Sequence, residues 1–178
     1  MMESKVNNIE VIQGDLTEMN LDIIVNAANH TLLGGGGIDG VIHYKAGPEL
    51  LDECKKLNGC EIGSAKMTNA YNLPCKKIIH TVGPVYSKSK ASECEAVLHN
   101  AYYNSLSLAK KYKEDNNLEE ISIAFPCIST GVYHYPKEEA CMVAINTCKE
   151  FNDNIKVYFV CFEDADYNLY LANLKKVC

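Results

Sequence analysis

The stretch Asp22-Ile-Ile-Val-Asn-Ala-Ala-Asn-His-Thr-Leu-Leu-Gly-Gly-Gly-Gly-Ile-Asp-Gly40 decides the fold. Asp22 to Val25 reads as a short apolar run, the pattern of a strand covered on both faces of a sheet. A loop over 26–37 follows, and a helix is expected over 39–46. Glycine loses more backbone entropy on folding than any other residue, so Gly34, Gly35, Gly36 and Gly37 are costly to order. A packed domain tolerates that cost where backbone must approach a ligand closely. Successive N–H groups ahead of a helix N-terminus make a nest for an anion such as a diphosphate. A flexible surface turn is the plainer alternative. The position between a buried strand and an amphipathic helix favours the ligand loop.

Gly35 to Gly40 formally matches G-x-G-x-x-G, yet Asn26 to Leu33 separate the glycines from the strand they should follow directly. Gly47-Pro48 also cuts the next helix short. A dinucleotide-binding Rossmann unit is therefore disfavoured. No G-x-x-x-x-G-K-[ST] is present. Asn26 and Asn29 stand at the strand exit, and an amide that both donates and accepts suits ribose hydroxyls. Loop capping is the alternative for Asn26. Asp39 would be unremarkable as the N-cap of a helix beginning at Gly40. A carboxylate beside a diphosphate nest makes more sense if it positions a water or a sugar hydroxyl.

A second loop, Pro126-Cys-Ile-Ser-Thr-Gly-Val-Tyr-His-Tyr-Pro136, also follows a strand and leads into a helix. Ser129, Thr130 and Gly131 can donate to phosphate, and Tyr133 can cover a sugar or base face. Closing the loop onto the core is the alternative for Tyr133 and Tyr135. Cys127 is read as core packing. Asp15, after the first strand, is either a turn residue or an acceptor for an exocyclic amine.

The remaining chain alternates strands and helices. Strands are expected over 9–13, 65–68, 77–82, 121–125 and 156–161. Helices are expected over 48–57, 91–112, from Pro136 onward, and over 164–176. This order implies an α/β sandwich whose ligand loops leave the strand ends. With 178 residues, 47% of them apolar, the chain suits one domain over 1–178. A net charge of −6 argues against a protein devoted to nucleic acid. The N-terminal MMESKVNNIEVIQGD has no signal-peptide pattern, and no run approaches membrane-spanning length. Nine scattered cysteines (54, 60, 75, 94, 127, 141, 148, 161 and 178) read as reduced thiols, several in the core, so a cytoplasmic location is expected. His30, His43, His80, His99 and His134 show no metal spacing, so neither metal nor other cofactor is assigned. A monomer is expected.

Several motifs together resemble the macro domain family, in its MacroD-type branch. They are Gly14-Asp15-Leu16-Thr17, Val25-Asn26-Ala27-Ala28-Asn29, Leu32 to Gly40, Ile79-His80-Thr81-Val82-Gly83-Pro84 and Ile128-Ser129-Thr130-Gly131-Val132-Tyr133. The resemblance runs from about Ile9 to the last helix. It implies a three-layer α/β/α sandwich with a mixed central sheet, holding ADP-ribose in a cleft. It implies removal of mono-ADP-ribose from acidic side chains of proteins, or deacetylation of O-acetyl-ADP-ribose. A non-catalytic reader of ADP-ribose or mono-ADP-ribosylated proteins is the alternative. Carried over by motif, Asp15 holds the adenine amine and Leu16 adds a backbone contact. Gly35, Gly36, Gly37 and Ile38 line one side of the diphosphate. Ser129, Thr130, Gly131, Val132 and Tyr133 line the other. Asn29 holds the distal ribose, Asp39 orients the attacking water, and Phe162 stacks on adenine. His134 stands where the family commonly has glycine.

Overall fold

The computed structural model describes residues 8–151 and 153–177, so residues 1–7 of the N-terminal stretch read above, and Cys178, lie outside the described residues. The strands are β1 (Ile9–Gln13), β2 (Ile23–Ala27), β3 (Ala65–Asn69), β4 (Lys77–Thr81), β5 (Ile121–Phe125) and β6 (Ile155–Cys161). The helices are α1 (Gly37–Ala46), α2 (Pro48–Lys56), α3 (Ala91–Asp115), α4 (Lys137–Lys149) and α5 (Asp164–Lys176). They form one mixed sheet in the order β1-β6-β5-β2-β4-β3. The β3–β4 pair is antiparallel and the other pairs are parallel.

Strand alternation sorts the core into two layers. Ile23, Val25, Ile123, Phe125, Val157 and Phe159 pack toward Leu98, Tyr102, Ala144, Ile145 and Tyr170, which come from α3, α4 and α5. Ile24, Ile78, Ala124 and Val160 pack toward Ile42, Ala46, Leu50 and Cys54 of α1 and α2. Ile23, Ile24 and Val25 are wholly buried, which explains a continuous apolar run where a one-faced strand would alternate. The expected three-layer sandwich is observed. Among the described residues, no helix is long and apolar enough to cross a membrane.

Three boundaries differ from the sequence reading by two residues or more, each for a local reason. The second strand runs on to Ala27, which takes Asn26 out of the expected loop and into the ladder opposite His80. Helix α1 starts at Gly37 with Gly36 as its N-cap, so Asp39 sits inside the first turn and caps nothing. Helix α3 continues three residues past Tyr112, where Lys111 pairs with Asp115 at 2.7 Å.

Candidate functional site

The chain moves outward in opposite directions from the middle of the sheet. After β2 it goes to β3 and β4 on one side, and after β5 to β6 on the other. The strand order therefore reverses between β2 and β5, and in open α/β sheets ligands settle beyond the carboxyl ends of strands at such a point. The loops that leave there are 28–36 after β2 and 126–136 after β5. They are the two loops whose glycines and hydroxyls stand out in the sequence. The turns after β1 (Gly14-Asp15) and β6 (Phe162-Glu163) leave the same edge.

The first loop is held by Asn29. Its amide donates to the Gly34 carbonyl at 2.9 Å, and its Oδ1 accepts from the Thr31 N–H at 3.0 Å and from the Thr31 hydroxyl. A side chain that binds its own backbone in this way fixes a loop without a regular ladder. Gly35 lies directly over Asn29 and Asp39. A β-carbon there would stand 3.1 Å from Asp39 Oδ2 and 3.2 Å from Asn29 Nδ2. Asn29 and Asp39 thus both lie against the exposed Gly35.

Asp39 is only 4% exposed. Its Oδ1 accepts from the Asn26 amide at 2.8 Å, and His43 Nε2, one helical turn on, lies 3.5 Å away. Burial pushes its carboxyl above the usual range, while the Asn26 hydrogen bond and the charge of His43 pull it partly back. A buried carboxylate beside an anion nest is a functional-site signal with a physical basis. Asn26 was expected to meet ribose directly, but it is wholly buried, and its amide contacts Asp39 and His80 Nδ1 (3.1 Å).

The second loop is equally tight. Thr130 Oγ1 donates to the Cys127 carbonyl, the His134 N–H to Gly131 and the Tyr135 N–H to Ser129, at 2.8–3.1 Å. Ser129 is buried, and a β-carbon at Gly83 would stand 2.1 Å from its hydroxyl oxygen. Gly83, from the turn after β4, therefore braces the second loop by bringing bare backbone against it. Tyr135 is buried against the Tyr86 ring, whereas Tyr133 is half-buried and contributes its carbonyl to the Tyr86 N–H. The loop-closing role thus belongs to Tyr135. Thr130 is half-buried, while Gly131 and Val132 are exposed.

Asp15 caps a 3-10 turn over Leu16–Glu18 through the Thr17 N–H at 2.9 Å, and its second oxygen pairs with Lys45 at 3.0 Å. The Thr17 hydroxyl and Lys45 draw its pKa below the usual value. Both acceptor atoms are engaged, so the turn role is real whatever else Asp15 holds. Leu16 is buried against the α1 side of the core. Phe162 is 83% exposed, a large ring left bare at the end of β6. Cys127 is half-buried with its sulfur 3.9 Å from that of Cys161.

A separate groove of about 720 Å³ runs between α3 and α4. Glu95, Glu138, Glu139 and Glu150 line it, so its field opposes a diphosphate. Among the described residues, no group of three or more His, Cys, Asp or Glu is placed to hold a metal ion. The sequence offers His80 and Gly83 only within a motif, and assigns no site role to them, to Thr68 or to His43. The available signal for His80 was the apolar strand Lys77-Ile-Ile-His-Thr81, where a histidine at an inward position needs a polar neighbour.

The family model for the macro domain matches residues 25–144, from the buried strand through α4. This chain belongs to the macro domain family. An O-acetyl-ADP-ribose deacetylase of Escherichia fergusonii is 45% identical to this macro domain over 92% of this chain and 93% of its own. The ADP-ribose glycohydrolase MACROD2 of Mus musculus is 45% identical over 99% of this chain, which corresponds to 37% of that longer protein. The Trypanosoma brucei macrodomain in complex with ADP-ribose superposes with a TM-score of 0.85 at 39% identity, covering 98% of this chain and 71% of that one.

Proposed function

We propose that this chain, a single macro domain acting in the cytoplasm, binds ADP-ribose across the β2 and β5 loops. There it hydrolyses esters of ADP-ribose: mono-ADP-ribose on acidic side chains of proteins, O-acetyl-ADP-ribose, or both. The observation that carries the reading is the buried Asp39 set beside Asn29 under the glycine loop. Similarity to a deacetylase and to a glycohydrolase over nearly the whole chain supports it.

In this reading the N–H groups of Gly35, Gly36, Gly37 and Ile38 face one side of the diphosphate, and Ser129 to Tyr133 close the other. Asn29 holds the distal ribose. Asp15 and the backbone at Leu16 receive the adenine edge, and Phe162 covers its face. Asn26 serves through Asp39, since it is buried against that carboxylate. With O-acetyl-ADP-ribose, a water oriented by Asp39 adds to the acetyl carbon, and the bond to the ribose oxygen breaks, giving acetate and the ribose hydroxyl. With an acidic side chain, the same water bonds to the anomeric carbon as the bond to the carboxyl oxygen breaks, its proton passes to solvent and the carboxylate leaves. A carboxylate leaves readily, so rate comes chiefly from holding water and ester in line.

The test is a time course of free ADP-ribose release from a protein mono-ADP-ribosylated on glutamate, with O-acetyl-ADP-ribose as second substrate. Release from either is expected. Tight ADP-ribose binding without product from either would instead make the chain a reader.

Two further outcomes are expected. Phe162→Ala should weaken ADP-ribose binding by about 1–3 kcal/mol, the range for a base stacked on an aromatic ring, and leave ribose 5-phosphate binding unchanged. Calorimetry with both ligands measures this, and equal loss for both would remove the ring from the adenine side. The pH profile of kcat/KM should fall on the acid side with a midpoint above about 4, the ordinary carboxylate value. The sign follows from Asp39. Its folded pKa is raised, so the ionised form that orients water is lost earlier as pH drops.

A further inference from the structure

Behind Asp39 runs a chain of buried polar side chains, of which the reaction scheme uses only Asn26. Asn26, His80 and Thr68 are at most 2% exposed. The Asn26 amide nitrogen reaches both Asp39 Oδ1 at 2.8 Å and His80 Nδ1 at 3.1 Å. On the other side of the ring, His80 Nε2 lies 2.9 Å from Thr68 Oγ1, and that hydroxyl reaches the Asn69 carbonyl at 3.0 Å.

The direction of each hydrogen bond follows from the donor inventory. The Asn69 carbonyl can only accept, so the Thr68 hydroxyl donates to it and accepts from His80 Nε2–H. A neutral imidazole with its proton on Nε2 must accept at Nδ1. The Asn26 NH2 group therefore donates one hydrogen to His80 and the other to Asp39. Burial lowers the His80 pKa to about 3, so the ring is neutral in the working range. Cys54 Sγ, 4.0 Å from Nε2, is held as a thiol because burial raises it to about 11.

The tautomer matters because an amide has two ends. Were the proton on Nδ1, Asn26 would turn its carbonyl to His80 and, with it, to Asp39. A carbonyl against that carboxyl favours the protonated acid. Resting on the hydrolase reading above, we infer that His80 is a positioning residue. Its Nε2–H tautomer, tied to Thr68, locks the Asn26 amide so that it donates to Asp39 and keeps that carboxylate ionised and aimed at water. The other groups facing Asp39 are His43 from its own helix and the Cys54 thiol from α2. Neither contacts the Asn26 amide in a way that would set which end it presents.

Two substitutions of similar size separate positioning from packing. Asn at 80 can place a carbonyl oxygen near the Nδ1 position and still accept from Asn26. Gln at 80 reaches toward the Nε2 position and keeps a donor for Thr68 but loses that acceptor. His80→Gln is expected to lower kcat about tenfold or more, since small misplacements of a catalytic group are costly, with ADP-ribose affinity within about twofold. His80→Asn should retain most of kcat. Carbon-13 titration should show the Asp39 carboxyl raised in His80→Gln relative to the wild type and to His80→Asn. Equal kcat in both variants, or an unchanged Asp39 titration, overturns the proposal. If both variants unfold, nitrogen-15 correlation spectra of the wild-type His80 ring decide, and a proton found on Nδ1 overturns it. The titration and the tautomer need no turnover. A wild type without hydrolysis would therefore remove the hydrolase reading while leaving the His80 lock separately tested.

Discussion

Asp39→Asn is expected to lower turnover by about a hundredfold or more while the melting temperature stays level or rises. The two effects share one cause. Asp39 is buried, and burial penalises its charge. An asparagine keeps an oxygen to accept from Asn26, so the hydrogen bond at 2.8 Å has a successor and the desolvation cost disappears. What is lost is the negative charge that orients water. ADP-ribose binding should survive, because the glycine loop and the second loop are untouched. Asp39→Ala differs in stability. It leaves the buried Asn26 amide one acceptor short, which costs about 1–3 kcal/mol. Product release, calorimetry with ADP-ribose and thermal melting on both variants measure these outcomes. Turnover unchanged in Asp39→Asn would end the role given to this carboxylate.

Gly40→Ala should weaken ADP-ribose binding about tenfold or more, equivalent to about 1.4 kcal/mol. Alanine for glycine inside a helix ordinarily gains about 0.5–1 kcal/mol, so a loss here would be diagnostic. A β-carbon on Gly40 would stand 2.6 Å from the carbonyl oxygen of Gly35. That atom is backbone and cannot swing aside as a side-chain tip can. The first turn of α1 or the glycine loop must move, and Gly35 is the residue lying over Asn29 and Asp39. Forced overpacking of this kind costs about 1–3 kcal/mol. Kd for ADP-ribose and the melting temperature should therefore both worsen. Unchanged affinity would mean that the loop does not take part in binding.

The reading of the fold from sequence succeeded where signals were local. The β1 and β5 bounds and those of the last helix follow from runs of β-branched residues and from turn residues at their ends. The two candidate loops are legible because four glycines, or a Ser-Thr-Gly run between a strand and a helix, stand out in the sequence. Asn26 was misplaced into a loop because an asparagine at a strand end ordinarily signals a turn. Its real partners, Asp39 and His80, lie 13 and 54 residues away. Likewise a helix cap is the local alternative for Asp39, yet its carboxylate turns inward to a buried amide.

By itself, then, the sequence determined the alternation of strands and helices and marked two loops, each between a strand and a helix, as candidates to hold an anion. Those features rest on propensity, periodicity and spacing along the chain. The tertiary structure decided which groups tune them. Parallel pairing of β2 with β4 sets Asn26 opposite His80, and antiparallel pairing of β3 with β4 brings Thr68 to the far side of the ring. Packing of α1 over the sheet removes water from Asp39 and raises its carboxyl. Register and burial are properties of the assembled layers, so no local pattern along the chain carries them.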